Sequence, residues 1–197
     1  MKGALAVAGS ALALASGGWT THRVASFAIG LPASWLDIGH RTRAVSTELV
    51  HLEATHPGAL VHIASLKLDR NVKFVAIETD GVSLAQGYPA YVRVSVGSTS
   101  VRSQAELEQA LIDALRDSGL ALIGPVGHSR ISLPAGPAVV AKVAFRDEET
   151  GESATLLQYA LLHGGSVYVL SYSSLAGRFA SYRPTFARSA ASFRFAG

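Results

Sequence analysis

The sequence has no cysteine. That excludes disulfide stapling, a cysteine nucleophile, thiolate metal sites and a lipid anchor on a mature N-terminal cysteine. It does not fix the redox compartment, because a chain without thiols folds in either. Charge is scarce as well: charged residues make up 16% of the 197 residues, and the formal net charge is +3. A field that weak excludes a histone-like or ribosomal protein, whose binding rests on bulk charge. The body of the chain has no apolar run of about eighteen residues, so no helix is expected to span a membrane there. Glycine follows no period, which excludes a collagen-like chain.

What is abundant is apolar. Hydrophobic residues are 49% of the sequence and mean hydropathy is +0.29, which excludes intrinsic disorder. A chain of this length buries roughly 70% of its unfolded surface, enough for one domain with a sizeable core. There are 13 arginines against 4 lysines, and 32 alanines. That bias reads as the composition of a GC-rich genome rather than as an electrostatic device. The basic excess is uneven: from Arg178 onward there are four arginines and no acid.

The first residues have the parts of a secretory signal. Met1-Lys2 precedes an apolar run from Gly3 to Ala15, and Ala13-Leu14-Ala15 is a small-residue cleavage match. Residues 1–18 are therefore expected to be a signal and residues 19–197 a single domain; the alternative is an alanine-rich apolar helix packed on the domain. With a signal the protein is secreted or held in the cell envelope; without one it is cytoplasmic.

Along the chain, Phe27 to Pro32 alternates and stops at proline, which predicts a strand. Ser46 can cap a helix to about Ala54, and His56-Pro57 starts a second to about Leu66. Val72 to Thr79 reads as a strand, Gly81 to Pro89 as a loop, and Tyr91 to Val96 as an alternating, half-buried strand. Ser103-Gln104-Ala105-Glu106 is a capping box that opens a helix with Leu107, Leu111, Ala114 and Leu115 on its apolar stripe; Gly119 stops it. Strands are expected over Ala138 to Phe145, Ala154 to His163 and Val167 to Ser173, the last two joined by a Gly164-Gly165 hairpin turn. Pro184 is expected to begin a short final helix. Strands interrupted by helices, then a meander, predict an α+β domain: a mainly antiparallel sheet with helices on both faces.

Four features together resemble one superfamily: the strand ending Leu31-Pro32 before Trp35; Leu133-Pro134-Ala135-Gly136-Pro137-Ala138 before a strand; the Leu157-Gln158-Tyr159 to Tyr168-Val169-Leu170 hairpin; and Tyr182-Arg183-Pro184-Thr185-Phe186 leading to Ser192-Phe193-Arg194. They are similar to the α/β/α sandwich of PsbP-type photosystem proteins, Mog-type Ran-binding proteins and LpqN-type bacterial lipoproteins, over about residues 24 to 195. The resemblance implies a non-catalytic binding or accessory protein. Two departures stand out. The lipobox cysteine of the LpqN type is missing, and the metal and assembly residues of photosystem subunits find no match, so no photosynthetic role carries over.

Residue chemistry points the same way. There is no G-x-S-x-G elbow, no P-loop and no dinucleotide fingerprint. Gly127-His128-Ser129 is an adjacent His and Ser in an expected loop, not a triad. His51, Glu53, His56 and His62 lie close in sequence, but His51 and His56 are five apart, about 140° round a helix, and Pro57 breaks it. No catalytic, metal or cofactor site is therefore expected, and no cofactor. Two binding readings remain. Arg178, Tyr182, Arg183 and Arg188, with Arg194, form a basic tail interleaved with aromatics. It suits a protein partner or a peripheral anionic surface and is too thin a footprint for nucleic acid. Tyr159, Tyr168 and Tyr172, with Tyr88 and Tyr91 as further candidates, can line an apolar pocket for a carrier of a small hydrophobic ligand.

Overall fold

The computed structural model describes residues 18–39, 43–55, 70–79, 82–148 and 150–196. The candidate signal over 1–17 and the expected helix over 57–66 lie outside the described residues. In chain order the strands are β1 (Trp19–Val24), β2 (Phe27–Pro32), β3 (Trp35–Asp37), β4 (Val72–Glu78), β5 (Tyr91–Ser98), β6 (Ala121–Leu133), β7 (Gly136–Arg146), β8 (Ser153–His163), β9 (Ser166–Leu175) and β10 (Arg194–Phe195). The α-helices are α1 (Arg43–Thr55), α2 (Val82–Ala85), α3 (Gln104–Arg116) and α4 (Phe179–Ser192).

Seven strands form one sheet in the order β3-β4-β5-β9-β8-β7-β6, and β1-β2-β10 form a smaller one. Every pairing is antiparallel. The large sheet is covered on both faces, giving the α+β sandwich that the element order predicts. One face packs Val75, Ile77, Val143 and Phe145 against Leu52 of α1 and Leu107, Leu111 and Leu115 of α3. The other packs Phe74, Val92, Val94, Leu157 and Leu170 against Phe27, Ile29 and Leu31 of β2 and Phe186, Ala190 and Phe193 at α4. Gly30 permits a close approach there. Its N–H donates to Ser192 Oγ at 2.7 Å, and a Cβ at Gly30 would lie 3.0 Å from that oxygen.

Local chemistry accounts for the sharpest boundaries. Gly164 and Gly165 have φ of 55° and 75°, the left-handed pair that a two-residue hairpin turn requires. Ser103 Oγ accepts from the Glu106 N–H at 3.2 Å. Glu106 Oε2 accepts from the Arg102 N–H at 2.8 Å, one residue earlier than in the reciprocal box.

Three expectations are corrected. The final helix does not begin at Pro184: α4 starts at Phe179 and contains the proline. Phe179 and Tyr182 pack on Phe186, with ring centroids 6.0 and 5.8 Å away, and that anchorage outweighs the proline's lost N–H. Gly127-His128-Ser129 lies in β6, not in a loop. β6 closes one edge of the large sheet, so most of its side chains face solvent and its sequence shows no alternation. Its pairing with β7 breaks between Ile123 and Gly127, around Gly124 (φ 81°) and Pro125. Finally, the loop expected over 81–89 contains α2, pinned by buried Leu84.

Candidate functional site

The C-terminal arginines and the expected pocket tyrosines lie on the α4 side of the sheet. Tyr159, Tyr168 and Tyr172 are all buried, and Tyr172 is wholly so. Tyr172 OH donates to Ser189 Oγ at 3.0 Å. Its ring lies 5.2 Å from Phe186 and 5.8 Å from Tyr159, while Tyr168 packs edge-on to Phe193 at 6.0 Å. These three tyrosines fill the interface between sheet and helix. Burial raises the pKa of both Tyr159 and Tyr172, leaving them neutral.

Above that interface, Arg178 just before α4 and Arg183 and Arg188 on it are exposed. Helical spacing places Arg188 about 200° from Phe186 and Ala190, and it is exposed. It is not isolated, however: its guanidinium carbon lies 4.1 Å above the Trp19 ring of β1, a cation–π contact that ties α4 to the small sheet. Tyr182 is half-buried, stacked on Phe186, and its hydroxyl donates to the Glu78 carboxylate. Arg178 and Arg183 form no ion pair among the described residues. Arg178 and Arg183 are thus exposed on either side of half-buried Tyr182 in the chain, and Arg188 is partly committed to the fold.

The opposite face of the sheet holds a feature that the sequence pattern concealed. Beneath α3 is a cavity of about 550 Å³. Leu111, Ala114 and Leu115 of α3 wall it on one side, and Tyr88, Tyr91, Arg93, Gln158 and Ser171 are among the residues on the sheet side. Of the five tyrosine candidates, only Tyr88 and Tyr91 line it. Register explains its polar floor. Arg93 sits opposite Ser171, and Ser171 sits opposite Gln158, so three polar residues cross the three central strands in one row. Gln158 Nε2 donates to Ser171 Oγ at 3.0 Å. The Nε of Arg93 is buried and has no hydrogen-bond partner. Tyr88 OH and Ser173 Oγ lie 2.7 Å apart, and Ser173 Oγ donates to the Thr155 carbonyl at 3.0 Å, so the phenol is the donor of the first bond. Burial raises the pKa of both Tyr88 and Tyr91. Alternation in β5 reads Arg93 as a residue on the open side of a half-buried strand. The available signal was its place in a central strand of a sheet expected to be covered on both faces.

The histidines give no comparable cluster. His51 is exposed on α1, and His56 and His62 lie outside the described residues. His128 Nε2 is 3.6 Å from Glu108 Oε1, which also takes Arg130 Nε on its other oxygen at 2.8 Å. That is a surface tie between β6 and α3.

A two-faced antiparallel sheet with helices on each side and a small accessory sheet define this as an α/β/α sandwich with a PsbP/Mog-like fold. Solved structures of that kind match it along most of its length. The solution structure of the cyanobacterial PsbP of Synechocystis sp. PCC 6803 is similar with TM-score 0.54 and 11% identity, over 96% of this chain and 99% of that one. LpqN of Mycobacterium tuberculosis, described as involved in cell envelope biogenesis, is similar with TM-score 0.54 and 12% identity, over 91% of each chain. The Ran-binding protein Mog1p of Saccharomyces cerevisiae is similar with TM-score 0.52 and 10% identity, over 91% of this chain and 96% of that one. At such identities the likeness is one of fold. No family profile and no curated protein sequence matches the chain.

Proposed function

We propose that this is a non-catalytic accessory protein, exported from the cytoplasm, that docks an acidic protein partner on the outer face of α4. The observation that carries the reading is the face itself: Arg178 and Arg183 stand exposed on either side of Tyr182, which is fixed by Glu78 and Phe186. Rigid aromatics beside arginines are the composition of contact surfaces. The fold is also that of a protein named for binding Ran and of one involved in cell envelope biogenesis, which supports an interaction role and an envelope setting.

The test is cross-linked capture from the native host at low and raised salt, comparing the unchanged protein with Arg178→Glu/Arg183→Glu. The double variant should keep its stability to within about 1 kcal/mol yet lose most of the captured partner, and raised salt should weaken capture by the unchanged protein. Arg188→Ala serves as a control, since it removes the contact with Trp19 and should cost about 0.5–1 kcal/mol. Undiminished capture by the double variant rejects the surface. Binding to anionic vesicles in place of a protein rejects the partner class. N-terminal sequencing of the native protein tests export: a start near Ser16 or Gly17 supports it, and an intact Met1 in the cytosol rejects it.

A further inference from the structure

The cavity beneath α3 is independent of the α4 face and is built unlike the rest of the core. A sheet face covered by a helix ordinarily presents apolar side chains. Here three adjacent central strands present Arg93, Ser171 and Gln158 in one row. Ser171 and Gln158 are buried. Ser171 accepts the Gln158 amide, which leaves its own hydroxyl proton for another acceptor. Arg93 always carries its charge, yet its Nε has no acceptor and it forms no ion pair among the described residues. Buried donors without partners are rare in folded proteins and point to a missing acceptor. The other wall supplies apolar surface from Leu111, Ala114 and Leu115. The volume of about 550 Å³ falls within the range of roughly 300–1,000 Å³ typical of small-ligand sites.

We infer that this cavity binds a small amphiphile bearing one carboxylate, with Arg93 taking the carboxylate and the α3 wall taking the apolar tail. Charge decides the head group. Arg93 is the one cation among the described lining residues and Asp147 the one acid. Asp147 Oδ1 accepts from the Thr150 N–H at 2.9 Å and from Thr150 Oγ1 at 2.8 Å, so its charge stays at the β7–β8 loop and opposes a second negative charge in the cavity. A carboxylate pairs bidentately with a single guanidinium; a phosphate ester can do the same, but as a dianion it brings a second charge that Arg93 alone does not neutralise and that Asp147 opposes. Neutral donors beside Arg93, the Ser171 hydroxyl among them, complete the head-group contacts. A neutral alcohol with the same tail leaves Arg93 unsatisfied.

The experiment is calorimetric titration of the full chain with decanoate, decyl phosphate and 1-decanol, paired with thermal unfolding. Decanoate should saturate a single site and raise the melting temperature, and 1-decanol should bind about tenfold to a hundredfold more weakly. Arg93→Leu should remove the preference for decanoate over 1-decanol without lowering the melting temperature, because it deletes a cation that nothing in the cavity pairs. A purely structural arginine would lose stability instead. Ala114→Trp keeps Arg93 and fills the cavity from an exposed position on α3; it should abolish binding even if the Arg93 variant folds poorly. The inference is overturned if decanol binds as tightly as decanoate, if decyl phosphate binds more tightly, if decanoate binding survives Ala114→Trp, or if none of the three binds.

Discussion

Four phenols of this chain are held in their neutral form by the places they occupy. Loss of water around the ring is the main cause at Tyr88, Tyr91, Tyr159 and Tyr172 alike. Bonds to Ser173 at Tyr88 and to Ser189 at Tyr172 act in the opposite direction and only partly offset it. A phenol whose folded pKa lies above its unfolded value contributes stability that is complete below the unfolded value, about 10, and is lost as pH rises past it. Stability should therefore fall steeply above about pH 10. In a spectrophotometric titration at alkaline pH, these four should ionise only with the loss of near-ultraviolet circular dichroism. Smooth ionisation of all six tyrosines in a protein that keeps its tertiary signal would contradict the burial described.

At the scale of the element, α4 carries an internal conflict. Pro184 sits at its sixth residue and cannot give a bond to the Ala180 carbonyl. Rings before and after it hold the helix in place nonetheless. Pro184→Ala should restore that bond and stabilise the protein by about 1–3 kcal/mol, read as a higher midpoint in denaturant unfolding at unchanged slope. A lower midpoint would mean that the proline directs the chain from the single 3-10 turn Ala176–Arg178 into the helix. The same element shows what kind of information sequence carries. Gly164-Gly165 and the Ser103 box were legible because their causes lie within four residues. β1 and β3 were not: β1 is paired to β2 but has no fully buried residue, and β3 is three residues held by β4, some forty positions away. Sequence puts the start of α4 five residues late because the helix-start preference of proline is local, while the ring contacts that override it belong to the tertiary core.

Across the whole molecule, sheet order sets both the stable centre and the reach of sequence reasoning. β5, β9 and β8 lie inside the large sheet with helices on both faces. Amide hydrogens of Val92, Val94 and Leu170 should be among the slowest to exchange, and those of β1 and β6 among the fastest; protection spread evenly over all strands would contradict two separate cores joined at these strands. The antiparallel sandwich was legible from strand and helix order. The cavity was not, because it depends on which residues of β5, β8 and β9 fall opposite one another. Arg93, Ser171 and Gln158 become one row only when three registers are known. The break in β6 has its own bearing on behaviour in a crowded solution. An exposed strand of thirteen residues with a free outer edge is a template on which a second chain can polymerise. Pro125 offers no N–H, and Gly124 (φ 81°) and the lost register interrupt the ladder between Ile123 and Gly127. The break shortens the flat rung on which a copy could pair, so it works against edge-to-edge self-assembly.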